Sequence, residues 1–476
     1  MHDAPAWERA ALPPMLRRMT TFASLDLPAA LLPGLDALNL QQMTAVQAQA
    51  LPGLLAGRDV LAQAPTGSGK TVAFALALLR RIDLSLQRAQ ALVLCPTREL
   101  ADQVGKQIRK LGIGLPNLKL SLLYGGVALR PQIASLEQHD PHIVVGTPGR
   151  IQELLRKKHL HLGGVRVLVL DEADRMLDMG FEEAIREIVG KLPSPRQSLL
   201  FSATFPESIR AIATGLLRAP LEVQVAGAAD VPAIDERFYE VDLADKPSAL
   251  AALLHAERPE SCVVFCNTRQ DVNARTAELQ ARGFSALALH GELEQRDRDE
   301  VLVQFANRSC RVLVASDVAA RGLDVEGLAM VVNYELPTDG DGYRHRIGRT
   351  ARAGRRGQAL SLVTAREMPR ALALEAATGK PLTWSRLPPA GSRLSNALGA
   401  AMISLRIDAG KTDKLRPGDI LGALTGEAGL PAKAVGKIDV FPTRSYVAIE
   451  REHASRALER LQSGRIKGKN FRVRRI

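Results

Sequence analysis

Short runs of apolar and often β-branched residues alternate with helical patterns along the first part of this chain. The runs have the length of strands, and the segments between them are long enough for crossover helices. This alternation predicts βαβ units and therefore a parallel sheet. Examples of these runs are Val60-Leu61-Ala62, Ala91-Leu92-Val93-Leu94, His142-Ile143-Val144-Val145, Val167-Leu168-Val169-Leu170 and Ser198-Leu199-Leu200-Phe201.

A Gly/Ala-rich segment with little pattern ends this first set, and a second alternating set follows it. A short Pro/Gly connector then precedes a third unit. The predicted fold class is therefore α/β, with two tandem parallel-sheet domains and a smaller C-terminal domain. The second set of strands is Cys262 to Cys266, Ala286 to Leu289, Val312 to Ala315, Met330 to Asn333 and Ala359 to Val363. The predicted divisions are an N-terminal extension at 1–20, a first domain at 21–225, a hinge at 226–232, a second domain at 233–388, a connector at 389–397 and a C-terminal domain at 398–476.

The C-terminal unit has a different element order. Its pattern predicts strand, helix, strand, strand, helix and strand, which is the α+β topology of an RNA-recognition motif. Tyr446 is the one stacking aromatic kept on the predicted strand 445–449. We therefore expect RNA at a basic rim near Lys467, Lys469 and Arg472 more than at the centre of the sheet. The predicted elements are 401–407, 417–424, 435–440, 445–449, 452–461 and 471–476.

The charge of the chain favours a polyanionic partner. It has 63 Lys and Arg against 51 Asp and Glu, a net charge of +12. From residue 396 onward there are 16 basic and 8 acidic residues, so +8 of this excess lies in the C-terminal unit. A large basic surface is typical of proteins that bind nucleic acid. On charge alone, a non-specific patch is favoured over a specific site.

The cysteines and the hydropathy exclude several classes of protein. Four scattered cysteines give neither a disulfide framework nor a metal site, so we expect reduced core thiols. Residues 1–20 lack the apolar core of a signal peptide, and no stretch of about 18 apolar residues occurs. We therefore expect a cytoplasmic protein, and a monomer because sustained heptads are absent. The cysteines are Cys95, Cys262, Cys266 and Cys310.

Two segments carry the chemistry of a nucleotide hydrolase. A Gly-rich loop between a strand and a helix points N–H groups at phosphates, and Lys70 can reach the β- and γ-phosphates. Thr71 supplies a hydroxyl for Mg²⁺, and Asp171, at the tip of a buried strand, is expected to hold the same ion. Glu172 can polarise the attacking water. Ala64 departs from the general loop pattern, which begins with Gly. The expected phosphate-binding residues are Ala64, Pro65, Thr66, Gly67, Ser68, Gly69, Lys70 and Thr71.

These motifs, in their order, resemble the DEAD-box RNA helicases over nearly the whole chain. The resemblance implies two RecA-like domains, ATP as the nucleotide and local separation of RNA duplexes. Phe22 and the segment Thr44-Ala45-Val46-Gln47 look like that family's adenine-reading segment, although Met43 stands where the family usually has Pro. The segments 96–100, 125–126 and 147–150 resemble its RNA-backbone contacts. The residues assigned to RNA there are Arg98, Gly126, Thr147 and Arg150.

The same resemblance assigns roles that link the nucleotide to RNA. Ser202 and Thr204 are implied to hydrogen-bond Asp174 and so to couple the two ligands. In the second domain, 316–324 and 345–352 are the strongest matches. They imply that Asp324 binds the ribose, and that Arg349 and Arg352 bind the γ-phosphate. The i, i+3 spacing of these arginines places both on one helical face. Finally, His345 and Arg346 are implied to lie at the cleft between the domains.

The C-terminal segments 415–426, 436–439 and 466–469 resemble the tail of the DbpA type of bacterial DEAD-box helicase. That resemblance implies a 23S rRNA hairpin near the peptidyl-transferase centre as the target, and a role in assembly of the large ribosomal subunit. Two alternatives stay open. One is a general helicase acting on mRNA or many RNAs with a non-specific basic tail. The other is a non-catalytic RNA clamp, which would have no need of Glu172.

Overall fold

A computed structural model of the chain describes residues 21–65, 67–205, 207–225, 234–320, 328–351, 357–388, 399–426 and 429–476. The predicted N-terminal extension, hinge and connector lie outside these residues. The described part contains a seven-stranded, a six-stranded and a four-stranded sheet. The chain forms two compact units, the first holding the seven-stranded sheet and the second holding the other two.

The first unit is built on a parallel sheet with the strand order β3-β4-β2-β5-β6-β1-β7. Its strands are β1 (Val60–Gln63), β2 (Ala91–Leu94), β3 (Leu120–Leu123), β4 (Ile143–Gly146), β5 (Val167–Asp171), β6 (Gln197–Ser202) and β7 (Leu221–Gln224). Its helices are α1 (Leu32–Ala37), α2 (Ala45–Leu55), α3 (Lys70–Arg80), α4 (Arg98–Leu111), α5 (Leu129–Gln138), α6 (Pro148–Arg156), α7 (Ala173–Asp178), α8 (Glu182–Gly190) and α9 (Glu207–Leu216).

Alternate residues of the central strands face two separate cores. On β5, Val167 and Val169 pack with α2, α3 and α4, while Leu168 and Leu170 pack with α6 to α9. All of these strand residues are almost completely buried. Burial on both faces explains why the strands read as continuous apolar runs. The first domain is therefore a three-layer α/β/α unit, as the sequence predicts.

The second unit begins with another parallel sheet, in the order β10-β11-β9-β12-β13-β8. Cys262, Val264 and Cys266 face one of its cores, and Phe238 and Ala359 face the other. Its strands are β8 (Ile234–Glu240), β9 (Cys262–Cys266), β10 (Ala286–Leu289), β11 (Val312–Ser316), β12 (Met330–Asn333) and β13 (Gly357–Val363). Its helices are α10 (Lys246–Glu257), α11 (Arg269–Ala281), α12 (Gln295–Ala306), α13 (Asp317–Ala320), α14 (Gly340–Ile347) and α15 (Met368–Thr378).

The C-terminal domain has the predicted βαββαβ order and an antiparallel sheet ordered β15-β16-β14-β17. The first and third strands therefore lie at the centre, as in an RNA-recognition motif. Its elements are β14 (Met402–Ile407), α16 (Pro417–Thr425), β15 (Val435–Val440), β16 (Ser445–Glu450), α17 (Ala454–Ser463) and β17 (Val473–Arg475). One face of the sheet and the two helices enclose a separate apolar core.

Candidate nucleotide and RNA site

The carboxyl ends of the first sheet gather the predicted site residues of the first domain. The phosphate loop follows β1, Asp171 ends β5, and Ser202 ends β6. The three segments assigned to RNA follow β2, β3 and β4. Ligands of open parallel sheets bind at this edge. Because β2 lies beside β5, the strands followed by residues predicted to bind nucleotide and those followed by residues predicted to bind RNA meet at one strand pair.

The phosphate loop has the backbone shape that its glycines permit. Gly67 and Gly69 have φ of 83° and 92°, values that side-chain-bearing residues rarely adopt. A Cβ on Gly69 would also lie 2.4 Å from Nε2 of Gln47. Lys70, 6% exposed, donates from Nζ to the carbonyl of Ala64 at 2.7 Å. Thr66 lies outside the described residues, whereas the rest of the loop leads directly into α3.

The side chain of Gln47 connects the start of α2 to the phosphate loop through hydrogen bonds. Its Nε2 donates to the carbonyl of Gly69 at 3.0 Å, and its Oε1 accepts from the N–H of Thr44 at 2.8 Å. An amide has two donor hydrogens and two acceptor lone pairs, so each end keeps one position for a base edge. Phe22 is 3% exposed and belongs to the core of the domain. Both residues are thus fixed in place before any nucleotide binds.

Asp171 has the surroundings of a metal ligand. Its Oδ1 is buried and has no hydrogen-bond partner among the residues that the structure describes. Burial raises the pKa of Asp171 to about 7, the positive charge of Lys70 opposes this rise, and the charges of Glu172 and Asp174 add to it. A buried carboxylate oxygen without a donor suits a hard cation such as Mg²⁺. The residues present therefore fit the ion that the sequence predicts.

Glu172 is held in an uncommon backbone conformation. Its φ and ψ are both 53°, in the left-handed region, where a residue other than glycine is strained. The side chain is 6% exposed, and one of its oxygens lies 3.4 Å from Nε of Arg175, which is itself 3% exposed. This fixes the carboxylate beside Asp171. The sequence interpretation missed Arg175, although its i, i+3 spacing from Glu172 is a detectable signal.

Asp174 is the centre of a hydrogen-bond network that joins β5 to β6. Its Oδ2 accepts from the N–H of Ala203 at 3.1 Å, and from the N–H and Oγ1 of Thr204 at 3.0 and 3.1 Å. The Ser202 hydroxyl accepts instead from the backbone N–H of Asp174 at 3.3 Å and donates to the Thr204 carbonyl. The Ser202 hydroxyl thus contacts the backbone of Asp174, while the Thr204 hydroxyl contacts its carboxylate.

The three segments assigned to RNA contact one another. The guanidinium of Arg98 lies 5.2 Å from the ring centroid of Tyr124. The N–H of Gly125 donates to Oγ1 of Thr147 at 3.4 Å. Arg150 donates to the carbonyl of Val127 at 3.0 Å and pairs with Glu153 at 3.1 Å. Gly126, with φ of 74°, turns the loop between them. The sequence-predicted residues thus form one continuous patch.

In the second domain, Arg346 is a buried organising residue. It is 1% exposed, and its Nε and Nη2 donate to the two carboxylate oxygens of Asp317 at 2.6 Å each. It also donates to the side chains of Asn267 and Asn333 and to the carbonyl of Glu335. These hydrogen bonds lie inside the second domain, and the bidentate pair with Asp317 anchors them. The position of Arg346 at the interdomain cleft stays a prediction.

The other predicted site residues of this domain are only partly described. His345 is half-buried on α14, and Arg349 is 6% exposed just after that helix. Asp324 and Arg352 lie outside the described residues. The structure therefore places Arg349 and His345 on one segment of the second domain and gives no position for the remaining two.

The basic rim of the C-terminal domain includes a tight turn. Ile466 and Lys469 exchange both backbone hydrogen bonds, while Lys467 and Gly468 have φ of 53° and 77°. Positive φ at both central residues is the type I′ geometry. The turn exposes Lys467 and Lys469, and the exposed Arg472 follows on the same segment. Lys467 also donates to the carbonyl of Lys414 at 2.9 Å, so the rim extends to the start of α16.

The cysteines and the helices bear on two predictions made from the sequence, reduced core thiols and the lack of a membrane-spanning stretch. All four cysteines are buried and unbridged, and burial raises the pKa of each thiol, so they are core residues without nucleophilic character. Within the described ranges, no helix combines the length and the apolar character that crossing a bilayer requires.

Known families match the three domains in order. A DEAD/DEAH box helicase domain matches residues 44–212, a helicase conserved C-terminal domain matches 245–354, and a DbpA RNA binding domain matches 404–475. The chain belongs to the DEAD-box ATP-dependent RNA helicases. It is therefore an RNA-dependent ATPase and helicase that binds ATP and RNA, and the sequence prediction of enzyme class is confirmed.

Within that family, the chain is of the DbpA type. It is 52% identical over 457 residues to the ATP-dependent RNA helicase DbpA of Escherichia coli (strain K12), covering 96% of this chain and 99% of that protein. It is 35% identical over 478 residues to DbpA of Bacillus subtilis (strain 168), with the same coverage.

Solved structures resemble the chain over about three quarters of its length. S. cerevisiae Dbp5 bound to RNA and ADP BeF3 has a TM-score of 0.71 and 32% identity, covering 77% of this chain and 96% of that one. Mss116p bound to ssRNA and AMP-PNP has a TM-score of 0.70 and 26% identity, covering 78% and 80%. Both relatives bind a nucleotide and RNA on this fold.

Proposed function

We propose that this helicase is targeted by its C-terminal domain to 23S rRNA and acts in assembly of the large (50S) ribosomal subunit. The observation that carries the proposal is the DbpA RNA binding domain at 404–475, which holds most of the chain's excess positive charge. The resemblance of 415–426, 436–439 and 466–469 to the tail of DbpA-type helicases supplies the target. The exposed turn at Lys467 and Lys469, with Arg472, is the proposed RNA contact.

The proposed chemistry follows from the residues of the first domain. Lys70 leaves the Ala64 carbonyl to neutralise the β- and γ-phosphates, and Gln47 selects adenine with its remaining donor and acceptor. Thr71 and Asp171 hold Mg²⁺, which when bound supplies positive charge to the phosphate oxygens. Glu172, oriented by Arg175, accepts a proton from the attacking water.

We further propose how ATP and RNA are linked. Asp174 and Thr204 join the nucleotide half of the first sheet to its RNA half, where Arg98, Gly126, Thr147 and Arg150 grip the backbone. Backbone contacts make the core sequence-tolerant, so selectivity comes from the tail. Arg349 and Arg352 complete the binding site of the γ-phosphate. Asp324 binds the ribose, and His345 lies beside the same ligands. An arginine supplied in this way is worth about 10³–10⁵ in rate in comparable nucleotidases.

These assignments link the binding of ATP to the binding of RNA. Because both ligands favour the closed state, each one raises the affinity of the protein for the other. Closure would bend one RNA strand away from its partner, giving local and non-processive separation. The proposed enzyme is a cytoplasmic monomer. The alternative is a general helicase on mRNA or many RNAs, and the exposure of the basic rim also suits that reading.

A steady-state ATPase assay tests the targeting. It compares no RNA, a generic single strand and a 23S fragment containing the peptidyl-transferase hairpin. Stimulation at nanomolar concentrations by the fragment alone supports the proposal, whereas equal stimulation by both RNAs favours the general helicase. Removing the residues after Pro389 should abolish the preference and leave a low RNA-dependent ATPase.

A matched pair of variants refines this test. Lys469→Ala removes a lysine from the proposed rim, and Lys433→Ala removes an equally exposed lysine elsewhere in the same domain. Only the first should weaken selective stimulation, by about tenfold, because the loss of one positioned charge contact costs about 1–2 kcal/mol. Equal effects of the two variants would indicate a non-specific electrostatic tail.

A further inference from the structure

The amino ends of the strands of the first sheet lie at the edge opposite the predicted ATP and RNA residues, and part of this edge is basic. Four neighbouring strands, β5, β6, β1 and β7, each have an arginine within the three residues that precede them. Only the strand order brings these arginines together, because they are far apart in the sequence. We call this set the basic edge; in spatial order it consists of Arg166, Arg196, Arg58 and Arg218.

Backbone and side-chain hydrogen bonds hold the residues of the basic edge side by side. The carbonyl of Arg166 accepts from the N–H of Gln197 at 2.9 Å, and the side chain of Gln197 donates to the carbonyl of Arg58 at 2.7 Å. The N–H of Arg218 donates to Oδ2 of Asp59 at 2.7 Å. Neighbouring strands are about 4.8 Å apart, so the four arginines extend over about 14 Å.

A cavity of about 190 Å³ lies at one end of the basic edge. Arg196 and Arg218 both line it, and the exposed Thr214 and Gly215 at the end of α9 form part of its wall. Nε of Arg196 is buried and has no hydrogen-bond partner among the residues that the structure describes. Burial and the charge of Arg218 lower the pKa of Arg196, while Asp59 opposes this shift. An anion in the cavity would offset the repulsion between the two guanidinium groups.

Nearby negative charge does not cancel the basic edge. Both oxygens of the buried Asp59 accept backbone hydrogen bonds. Asp83 and Glu222 are exposed near the two ends of the edge, but Arg88 and Arg81 are exposed beside it as well. The carboxyl end of α9 adds about half a negative charge at the cavity, which is less than the charge of either arginine that lines it.

We propose that the basic edge is a second RNA-binding surface, which takes the phosphate backbone of an RNA duplex and seats one phosphate between Arg196 and Arg218. Guanidinium groups match phosphate oxygens with paired hydrogen bonds. The large apolar side chains that are exposed in the described part of the first domain are Leu32, Ile113 and Val127, and they lie on other segments. The edge therefore offers neither the anchors of a protein interface nor a platform for unstacked bases.

The position of the basic edge allows one RNA to use both edges of the sheet. The strands between the two edges have four to six residues in β1, β5 and β6, or about 13–20 Å. A folded RNA can therefore place one strand at the predicted crevice and a flanking helix at the basic edge. This surface reads no sequence, so it is independent of the proposed 23S target.

Equilibrium binding of the full-length chain without nucleotide, followed by fluorescence anisotropy, tests the proposal. The probes are a single strand and the same strand joined to a duplex of arbitrary sequence. Arg166→Gln with Arg218→Gln removes two exposed arginines and should weaken binding of the duplex probe by about tenfold at low salt, with the single strand unaffected. The slope of log K against log salt should fall by about 2, close to 1 for each lost phosphate contact. Arg166→Lys with Arg218→Lys should retain most of that slope.

Lys106→Gln with Arg186→Gln is the matched control. Both residues are exposed on helices of the same domain and pair with an acidic residue four positions earlier, so the change in net charge is the same. Equal weakening by this control, or equal weakening of both probes, would show a general effect of charge and overturn the proposal. Unchanged duplex affinity of the Arg166 and Arg218 variant, with circular dichroism showing a native fold, would also overturn it.

Two further outcomes separate this proposal from other readings. Displacement of the duplex by millimolar inorganic phosphate at constant ionic strength would assign the cavity to a free anion and overturn the assignment to RNA. A chain that binds the duplex probe through the basic edge but shows no preference for the 23S fragment would refute the proposed function and leave this surface in place.

Discussion

Replacing Asp171 by Asn should stabilise the first domain of the ligand-free chain, by an amount that grows with pH. The carboxyl is 2% exposed, its Oδ1 lacks a donor among the described residues, and its pKa is raised from 3.8 to about 7. Its ionisation therefore opposes folding. The amide of Asn has nearly the same shape and carries no charge, so it removes this penalty while leaving the packing intact.

The sign and size of this stabilisation follow from the linkage between protonation of Asp171 and folding. Below pH 3.8 the folded and unfolded states both hold the proton of Asp171, and no penalty exists. As pH rises toward about 7, the unfolded state releases the proton first, and the free energy of unfolding falls by about 1.4 kcal/mol per pH unit. Above that range the penalty is constant, at about 4 kcal/mol or less. Between about pH 5.5 and 8.5 the advantage of the Asn variant should grow by about 2 kcal/mol.

Thermal unfolding followed by circular dichroism, with EDTA and without nucleotide, measures this difference. The transition of the first domain is the one that ATP with Mg²⁺ raises in the unsubstituted protein. A change of about 2 kcal/mol corresponds to about 4–8 °C for a domain of this size. Asp140→Asn removes an exposed charge from the same domain and serves as the control. An Asp171→Asn advantage that is constant across this pH range would refute the reasoning.

Three further predictions concern the two helicase domains. Glu172→Gln should keep ATP binding and lower kcat by about 10²–10⁴, measured by equilibrium binding and single-turnover hydrolysis; unchanged turnover would remove its role as base. Arg346→Met should destabilise the second domain by about 2–3 kcal/mol in urea unfolding, because it leaves the buried Asn333 side chain and the partly exposed carboxylate of Asp317 without this donor, and a loss under 1 kcal/mol would contradict this. Thr204→Val should lower RNA-stimulated kcat while basal hydrolysis changes little, since Asp174 keeps the backbone donors of Arg175, Ala203 and residue 204; equal loss in both assays would indicate a merely structural contact.

The parts of the fold that are local in sequence could be predicted, and those that depend on distant residues could not. Buried parallel strands are apolar throughout, so β1, β2, β4, β5 and β6 were visible as runs. The six elements of the C-terminal domain follow from the local pattern of apolar and polar residues, to within two residues at each boundary. Strands β3, β7 and β8 are not among the runs named from the sequence, and each has residues that are only partly buried or exposed.

The contacts within the site show the same division. The phosphate loop and the Asp171-Glu172-Ala173-Asp174 segment were recognised because their chemistry depends on adjacent residues. The hydrogen bonds from Gln47 to Gly69, from Arg346 to Asp317 and from Tyr446 to Glu300 join residues far apart in the chain. The periodicity of apolar residues along the chain carries no information about such pairs. The sequence nevertheless carries one relevant sign, the scarcity of aromatics on the central C-terminal strands, which agrees with the burial of Tyr446 and of its cross-strand partner Arg406.

The strand order of the first domain has a consequence for engineering the chain. Strands β2, β3 and β4 are consecutive in sequence and also form one edge of the sheet, while β1, β5, β6 and β7 form the other part. A single continuous segment, from β2 to the start of α6, therefore carries every first-domain position assigned to RNA. It could be exchanged as a cassette between relatives. The only ladder such a chimaera would have to rebuild is the one between β2 and β5.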